Sequence, residues 1–375
     1  MFNTLWFLGN NDEAICLVDF WEEMENKGEK IFLASAPIAL KQKIKEKKWK
    51  KIFFPSLSLI HKTFKAVIIL IWPFLFLFGF FYLWFLKKQH GITKIIFLTA
   101  ADFNFWILPA RLAGVKIIWL VTKPLEKVNW PTRLTSKLWS GPILVFNRLT
   151  AEKLKTAGFD DQTIKTITPG INFSRVKRQE NIFSRLAEAD DKYNRKFFVV
   201  GTVLTADKLR LETLLAASRT CLSAIPNLQI IIIGDMLDRK KIIWLAEKMG
   251  LGTIVWFVGR PKSLNKYFSH FDIYTPVCGL AGLPEINLVL LAQANGVPVI
   301  CPEGIGLEGI IKDNKNGLIL AGEEKEKLAQ AIIKLKQNFS RHRRLSQTAR
   351  EHIHQNHSIA AMVNNFQQLF NKKII

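Results

Sequence analysis

Residues 197–235, FFVVGTVLTADKLRLETLLAASRTCLSAIPNLQIIIIGD, decide the fold of this chain. The stretch opens with an apolar run over Phe197–Val203, continues with a helical pattern over Lys208–Ala224, and closes with a second apolar run over Leu228–Ile233. Short apolar runs on both sides of a helix are typical of parallel strands that are buried on both faces. The stretch therefore predicts one strand–helix–strand unit of an α/β fold.

The same alternation extends in both directions from this unit. Before it, we predict strands at Thr4–Leu8, Ile31–Ala34, Ile95–Leu98, Lys116–Val121, Ile143–Val145 and Ile164–Thr168. After it, we predict strands at Ile254–Val258, Asp272–Tyr274, Val297–Ile300 and Leu318–Leu320. A charged stretch without an apolar pattern, Ser174–Lys196, lies between the two series and is interpreted as an interdomain linker. The fold class is therefore α/β, with two tandem Rossmann-like, doubly wound domains over residues 1–175 and 197–355, joined by a linker over 176–196.

Net charge and hydrophobic content limit the kinds of partner this protein can have. The 375 residues include 53 Lys and Arg against 31 Asp and Glu, which gives a net charge of +22, and 49% are hydrophobic. So apolar a chain is not disordered, and its positive charge favours nucleic acid, an anionic membrane surface or a phosphorylated ligand as partner.

The four cysteines have no CxxC spacing, which excludes a disulfide scaffold and a cysteine-rich zinc site and favours a reducing compartment. The first residues lack the pattern of a cleaved signal peptide, which is therefore not expected.

One segment concentrates the apolar excess. Ala66–Leu86 carries no charge and has lysines on both sides, and the basic stretch Lys41–Lys51 precedes it. An apolar helix of this length can cross a bilayer core of about 30 Å. Strands of one sheet are predicted on both sides of the segment, however, so a span would divide the domain. We therefore expect residues 64–88 to enter the membrane from one side as a monotopic or re-entrant helix, with a true span and a buried core helix as alternatives.

Ligands of open α/β sheets bind outside the carboxyl ends of the strands. In the second domain this rule selects glycine-rich loops that contain Gly234, Gly279 and Gly282. The last of these loops leads into a helix predicted over Glu285–Ala294, whose N-terminus can hold a diphosphate through its N–H groups and its dipole. Positive charge would come from Lys208 and Arg260, while the alternative is that the glycines only form turns.

No metal site is predicted. Asp160, Asp161, Asp190 and Asp191 lie in turn or linker contexts. The cluster His352, His354 and His357 lacks a helical i, i+4 pair, and His270 lies at a predicted helix end, so we interpret these histidines as structural.

Several stretches of the second series are informative in their order and spacing. They are Phe198–Val203 with Lys208, Ile225–Asp235, Leu245–Leu251, Ile254–Gly259, Phe271–Tyr274, Ala294–Ile300 and Lys312–Leu318. In that order they resemble the nucleotide-sugar domain of the large retaining GT-B glycosyltransferase family, family four, and the resemblance covers most of Ile92–Phe370. Val145–Asn172 and Arg111–Lys116 resemble the acceptor-side domain, and residues 356–375 resemble the final helix that returns to it.

The resemblance implies site residues and also departures from the family pattern. Lys208 matches the family's diphosphate-binding lysine, but the arginine that accompanies it is missing. Glu285 and Gln293 have the eight-residue spacing of the family's two glutamates, whereas counting back from Gly296 places Leu283 and Leu291 there instead. Asn10-Asn11 replaces the N-terminal glycine pair that normally faces the donor phosphate.

Together these observations predict a membrane-associated retaining glycosyltransferase. It would transfer a sugar from a nucleotide-diphosphate sugar to a lipid-linked or cell-envelope glycan acceptor, at the cytoplasmic face of the plasma membrane. Glu285 and Lys208 would be catalytic, while Gly234, Arg260, Gly279, Gly282 and Gln293 would bind the donor. The resemblance implies that no metal or other cofactor is needed, because helix dipoles and cations stabilise the departing diphosphate. Nucleic acid is not expected as a partner, and the alternative function is a catalytically inactive GT-B membrane partner or scaffold.

Overall fold

The fold is described from a computed structural model of the chain. It describes residues 3–8, 12–37, 40–47, 49–52, 65–124, 130–138, 141–177, 197–205, 210–234, 239–261, 263–322 and 324–371. The chain forms two compact units, one of residues 1–168 and 362–375 and one of residues 169–361. Each unit is an α/β domain built on one parallel sheet.

The first unit contains a seven-stranded sheet with the order β3-β2-β1-β4-β5-β6-β7, in which every neighbouring pair is parallel. Its strands are β1 (Asn3–Phe7), β2 (Lys30–Ala34), β3 (Lys50–Ile52), β4 (Ile92–Phe97), β5 (Lys116–Val121), β6 (Ile143–Val145) and β7 (Ile164–Thr166). Its helices are α1 (Val18–Asn26), α2 (Lys41–Glu46), α3 (Lys65–His90), α4 (Ala100–Leu112), α5 (Trp130–Leu138) and α6 (Arg148–Thr156).

The second unit contains a six-stranded sheet with the order β10-β9-β8-β11-β12-β13, again parallel throughout. Its strands are β8 (Phe198–Val203), β9 (Leu228–Ile233), β10 (Val255–Val258), β11 (Ile273–Tyr274), β12 (Val299–Pro302) and β13 (Gly317–Leu320). Its helices are α7 (Phe173–Lys177), α8 (Leu211–Cys221), α9 (Arg239–Lys248), α10 (Asn265–Phe268), α11 (Leu283–Ala294), α12 (Lys325–Gln337) and α13 (Phe339–Asn356), and α14 (Ile359–Asn371) follows.

The deciding stretch forms the centre of the second unit. Every residue of β8 and of β9 is buried, and the two strands pair in register from Phe198–Leu228 to Val203–Ile233. The strand order reverses between β8 and β11, which is the topological switch point of a doubly wound sheet. The predicted α/β class and the two doubly wound sheets are confirmed.

Three elements of the first unit were not predicted. Helix α2 lies within the stretch Lys41–Lys51 that was interpreted only as basic, the edge strand β3 at residues 50–52 begins in it, and α5 occupies residues 130–138. In β3 the lysines Lys50 and Lys51 are exposed, while the preceding Trp49 is buried and makes an edge-on ring contact with Trp21. A three-residue strand with two lysines has no recognisable alternation, and edge lysines are common because they discourage pairing with other chains.

Helix α3 lies in the predicted apolar segment and packs on α4. A Cβ atom at Gly79 would lie within 3.0 Å of the Trp106 ring, so the absence of a side chain at this position permits the close approach of the two helices. Leu83 and Leu86 are buried in the core of the unit. Across the described residues, no helix combines the length and the apolarity that a membrane crossing requires.

The last helix carries the chain back to the first unit. Phe366 on α14 stacks on Trp6 of β1 with ring centroids 5.9 Å apart and meets Phe20 edge-on at 5.1 Å. Immediately before this helix, His357 Nδ1 donates to the carbonyl oxygen of Pro169 at 2.8 Å, and Ile171 N donates to His357 O at 2.8 Å. These bonds hold the first and last segments of the second unit side by side.

The centre of the second sheet supplies a stability test. A Cβ at Gly201 would lie within 3.0 Å of the Phe271 ring, which is fully buried. We expect Gly201→Ala to lower the free energy of unfolding by about 1–3 kcal/mol because the ring has no room to move away. Chemical denaturation would measure the change. As a control, Gly309→Ala places its Cβ in open space and should change stability by less than about 0.5 kcal/mol; equal effects would contradict the packing argument.

Candidate functional site

The candidate site is the carboxyl edge of the second sheet. All six strands are parallel, so their carboxyl ends meet at one edge, and the loops after them converge there. We use the name "donor edge" for the described parts of the loops that follow β8 to β12. These parts are Leu204–Thr205, Gly234, Gly259–Pro261, Thr275–Gly282 and Glu303–Gly306.

Gly234 has a structural reason to be glycine. Its φ is +127°, and an added Cβ would lie 3.1 Å from the carbonyl oxygen of Leu204. Its N–H donates to Val258 O at 2.9 Å, which ties the end of β9 to β10. Gly234 therefore lets three strand ends approach each other closely, whether or not it also contacts a ligand.

The structure describes one of the two predicted cations. Arg260 is exposed in the loop after β10, at the donor edge. Lys208 lies outside the described residues, as does Asn10-Asn11 in the first unit. Gly279 is half-buried in the loop after β11, which also contains Gly282. The donor edge thus includes Arg260 and all three predicted glycines.

Glu285 and Gly282 meet at the start of α11. Gly282 is the N-cap residue, and its N–H donates to Glu285 Oε2 at 2.8 Å, which forms the side-chain half of a capping box. The carboxylate thus engages one of the N–H groups that the sequence assigned to a diphosphate. A phosphate that uses this N–H must displace the Glu285 side chain.

Gln293 is separated from this pair. It lies on α11 eight residues beyond Glu285, which corresponds to about 12 Å along a helix axis. Its side chain is fully buried, and Nε2 donates to the carbonyl oxygen of Asn316 at 2.9 Å. Asn316 in turn accepts from Lys312 N at 2.6 Å. Gln293 therefore supports the turn before β13, and its predicted donor-binding role remains a prediction. At the alternative family positions, Leu283 is buried and Leu291 is half-buried.

Sequence reasoning missed Arg210. This side chain is 8% exposed, and its Nη1 donates to the carbonyl oxygen of Cys278 in the loop after β11. Arg210 N also donates to Val277 O at 2.9 Å. Its position two residues after Lys208 was the available signal, but the residue was absorbed into the predicted helix Lys208–Ala224. The described helix begins later, at Leu211.

Two buried titratable groups near this loop are neutral at ordinary pH. Burial raises the pKa of Tyr274 well above its usual value, and the neighbouring Cys278 and Glu285 raise it further. Burial likewise raises the pKa of the Cys301 thiol, with a smaller contribution from Glu308. A thiol held in its protonated form is a poor nucleophile, so Cys301 serves packing in this state.

The histidines have structural contacts. The His354 ring stacks on Phe173 with centroids 4.2 Å apart, His357 holds Pro169, and His270 Nδ1 donates to Lys266 O at 2.6 Å at the end of α10. Burial is the largest cause that lowers the pKa of His357, although its bond to Pro169 acts in the opposite direction. Within the described ranges, no group of three or more His, Cys, Asp or Glu side chains could hold a metal ion.

Comparison with known proteins identifies the second unit. Residues 179–352 match the family described as "Glycosyl transferases group 1". One relative, the lipopolysaccharide core biosynthesis glycosyltransferase LpsE of Rhizobium meliloti, is 25% identical over 149 residues, 40% of this chain and 43% of its own. A GDP-mannose-dependent alpha-(1-6)-phosphatidylinositol monomannoside mannosyltransferase of Mycobacterium tuberculosis is 22% identical over 264 residues, 67% of this chain and 68% of its own. The match thus spans less than half of LpsE.

Solved structures extend the likeness to the whole fold. A glycosyltransferase from Rickettsia africae has a TM-score of 0.81 at 14% identity and covers 99% of this chain and 98% of its own. Anabaena HepE in complex with UDP has a TM-score of 0.76 at 14% identity and covers 99% of both chains. These findings confirm the resemblance predicted from the sequence. Residues 179–352 match the glycosyl transferases group 1 family, and the chain has the two-sheet GT-B fold of these solved glycosyltransferases.

Proposed function

We propose that this protein is a membrane-associated retaining glycosyltransferase that transfers a sugar from a nucleotide-diphosphate sugar to a lipid-linked or cell-envelope glycan acceptor. The observation that carries the proposal is the group 1 domain at residues 179–352, whose parallel sheet ends in glycine-rich loops at the donor edge. We place the protein at the cytoplasmic face of the plasma membrane.

The donor class is inferred from the site and from the relatives. HepE was solved with UDP and with UDP-glucose, and the mycobacterial relative is named as GDP-mannose-dependent. The bases differ, whereas a nucleotide diphosphate is common to both. Arg260 at the donor edge, together with Lys208, would offset the charge that develops on the leaving diphosphate, and N–H groups at the start of α11 would bind its oxygens. In this proposal Gly234, Gly279 and Gly282 let the backbone approach the donor, and no metal or other cofactor takes part.

The acceptor class is inferred from the first unit. The names of two relatives refer to lipopolysaccharide core and to a phosphatidylinositol mannoside, which are amphiphiles. An enzyme for such an acceptor must meet it at a bilayer surface. Only Gly91 separates α3 from β4, and α3 runs alongside α4, with Gly79 against Trp106 and Lys87 at Ala113. Because α4 begins at the carboxyl end of β4, the earlier turns of α3 lie towards the carboxyl edge of the first sheet. Ligands of open α/β sheets bind at that edge.

The outer face of α3 has the composition of a membrane-binding surface. We call it the aromatic face; its exposed members are Phe74, Leu77, Phe78, Phe81, Trp84 and Phe85 on α3, with Leu108 and Leu112 on α4. Their spacing on α3 places them along one side of the helix. Lys88 Nζ lies 4.0 Å from the centre of the Trp84 ring, and Arg111 is exposed on α4. Monomeric soluble proteins seldom expose so large an apolar patch, and bordering cations favour anionic headgroups.

Nucleotide binding tests the donor assignment. Calorimetric titration with UDP, GDP, ADP and their sugar conjugates should show saturable binding of one nucleotide. Lys208→Ala should weaken that affinity about tenfold or more, because a charge-assisted hydrogen bond to phosphate is lost. The exposed Lys266, which precedes β11 and lies away from the donor edge, provides the matched control Lys266→Ala. The donor assignment fails if a folded sample binds none of these compounds.

Substitution of Glu285 separates its capping role from a catalytic one. Glu285→Gln keeps a side-chain acceptor for Gly282 N–H, whereas Glu285→Ala removes it and should lower stability by about 1 kcal/mol. If the carboxylate contacts the donor sugar, transfer should fall at least about a hundredfold in both variants. Sugar transfer and thermal unfolding are measured on the same samples. Full transfer by Glu285→Gln would leave Glu285 as a helix cap only.

Vesicle flotation tests the membrane assignment. The double variant Phe81→Glu/Trp84→Glu should bind phosphatidylglycerol-containing vesicles at least about tenfold more weakly than wild type, because two large apolar side chains no longer enter the bilayer. The control Trp244→Glu/Trp256→Glu changes two aromatic side chains that are similarly exposed on the second unit. Equal vesicle binding by wild type and both variants would rule out the aromatic face as the contact.

The alternative is an inactive GT-B membrane partner. The observation that favours it is the apolar pair Leu283 and Leu291 at the family's glutamate positions, with the carboxylate of Glu285 turned back onto Gly282. A protein of this kind would bind vesicles through the aromatic face and would transfer no sugar from any donor of the panel.

A further inference from the structure

Arg210 connects the start of α8 to one loop of the donor edge. It is the N-cap residue of α8, and through its backbone and its side chain it donates to two consecutive carbonyl oxygens, those of Val277 and Cys278. Those carbonyls belong to the loop between β11 and α11. One residue therefore joins the start of α8 to the loop that leads into the Gly282 cap.

Arginine is a poor choice for this position if only stability matters. Helix N-caps are normally Ser, Thr, Asp or Asn, whose side chains accept a hydrogen bond from the first turn, and Arg210 makes no such bond. A positive charge at a helix N-terminus also opposes the helix dipole. Burying a guanidinium to 8% exposure adds a desolvation cost. Residues that break local rules in this way are concentrated at functional sites.

The surroundings of Arg210 are consistent with such a role. Arg210 lines a cavity of about 30 Å³ together with Thr275, Pro276 and Cys301. The Thr275 hydroxyl is buried, and within the described part of the chain it has no hydrogen-bond partner. The cavity is thus lined by Arg210, by the first two residues of the loop that carries Gly279 and Gly282, and by Glu324 just before α12.

We infer that Arg210 is a positioning residue for donor binding. It fixes the path of Val277 and Cys278, and through them it sets where Gly279, Gly282 and the N-terminus of α11 meet the donor. This inference rests on the proposed function. In this role Arg210 affects donor affinity but does not itself contact the reacting atoms.

Three substitutions separate the contributions of the side chain. Arg210→Met keeps much of the side-chain length but removes the hydrogen-bonding N–H groups and the charge. Arg210→Gln keeps side-chain N–H groups without the charge, and Arg210→Lys keeps both N–H groups and charge in another geometry. We expect Arg210→Met to raise the donor KM about tenfold while kcat changes less than about twofold, since loop position affects binding before chemistry. Gln and Lys should restore part of the affinity. The matched control is Arg219→Met, an exposed arginine near the end of the same helix.

Hydrogen exchange gives a readout that does not depend on activity. In Arg210→Met, peptides that cover residues 275–285 should exchange faster than in wild type and in Arg219→Met, while peptides from β9 and α12 stay unchanged. The inference would be overturned if Arg210→Met left the donor KM unchanged or lowered kcat by as large a factor as it raised KM. Faster hydrogen exchange throughout the second unit would also overturn it. If the wild-type protein binds no nucleotide sugar, the proposed function fails. If hydrogen exchange over residues 275–285 is unchanged in Arg210→Met, Arg210 does not fix the position of the loop, whatever the function.

Discussion

Parallel pairing of buried strands is the constraint on which the second unit depends. Because β8 and β9 are apolar on both faces, they can only lie in the interior of a sheet covered by helices on both sides. That arrangement brings every loop after a strand to one edge. The glycines and cations of those loops are far apart in the sequence, but they share the donor edge because the strands run in one direction.

The donor edge is held by contacts of the loop between β11 and α11. Glu285 caps Gly282 at one end of this loop, and Arg210 holds Val277 and Cys278 at the other. Both contacts use charged side chains where a neutral polar residue could also satisfy a backbone group. The loop is therefore fixed by charged groups, which also set the local electrostatic potential at the donor edge.

The first unit resolves a conflict between two sequence signals. An uncharged, apolar stretch lies between strands that pair with the same neighbour, since both β2 and β4 flank β1. The structure retains the sheet and places the apolar stretch in α3, with Leu83 and Leu86 in the core and Phe81 among the exposed members of the aromatic face. One side of α3 thus packs in the core, and the other side exposes aromatic rings at the surface.

The sequence by itself determined the α/β class, the two sheets and most strand positions, because short apolar runs alternate with amphipathic helical stretches, which is typical of parallel sheets covered by helices. It also predicted the loop that contains Gly279 and Gly282. It did not reveal β3, because three residues with two lysines carry no periodic signal. Only the tertiary structure showed that Glu285 turns back onto Gly282, that Gln293 supports Asn316, and that Arg210 reaches the β11 loop. Such assignments depend on side-chain direction and on contacts between distant segments, and residue spacing along one chain contains neither.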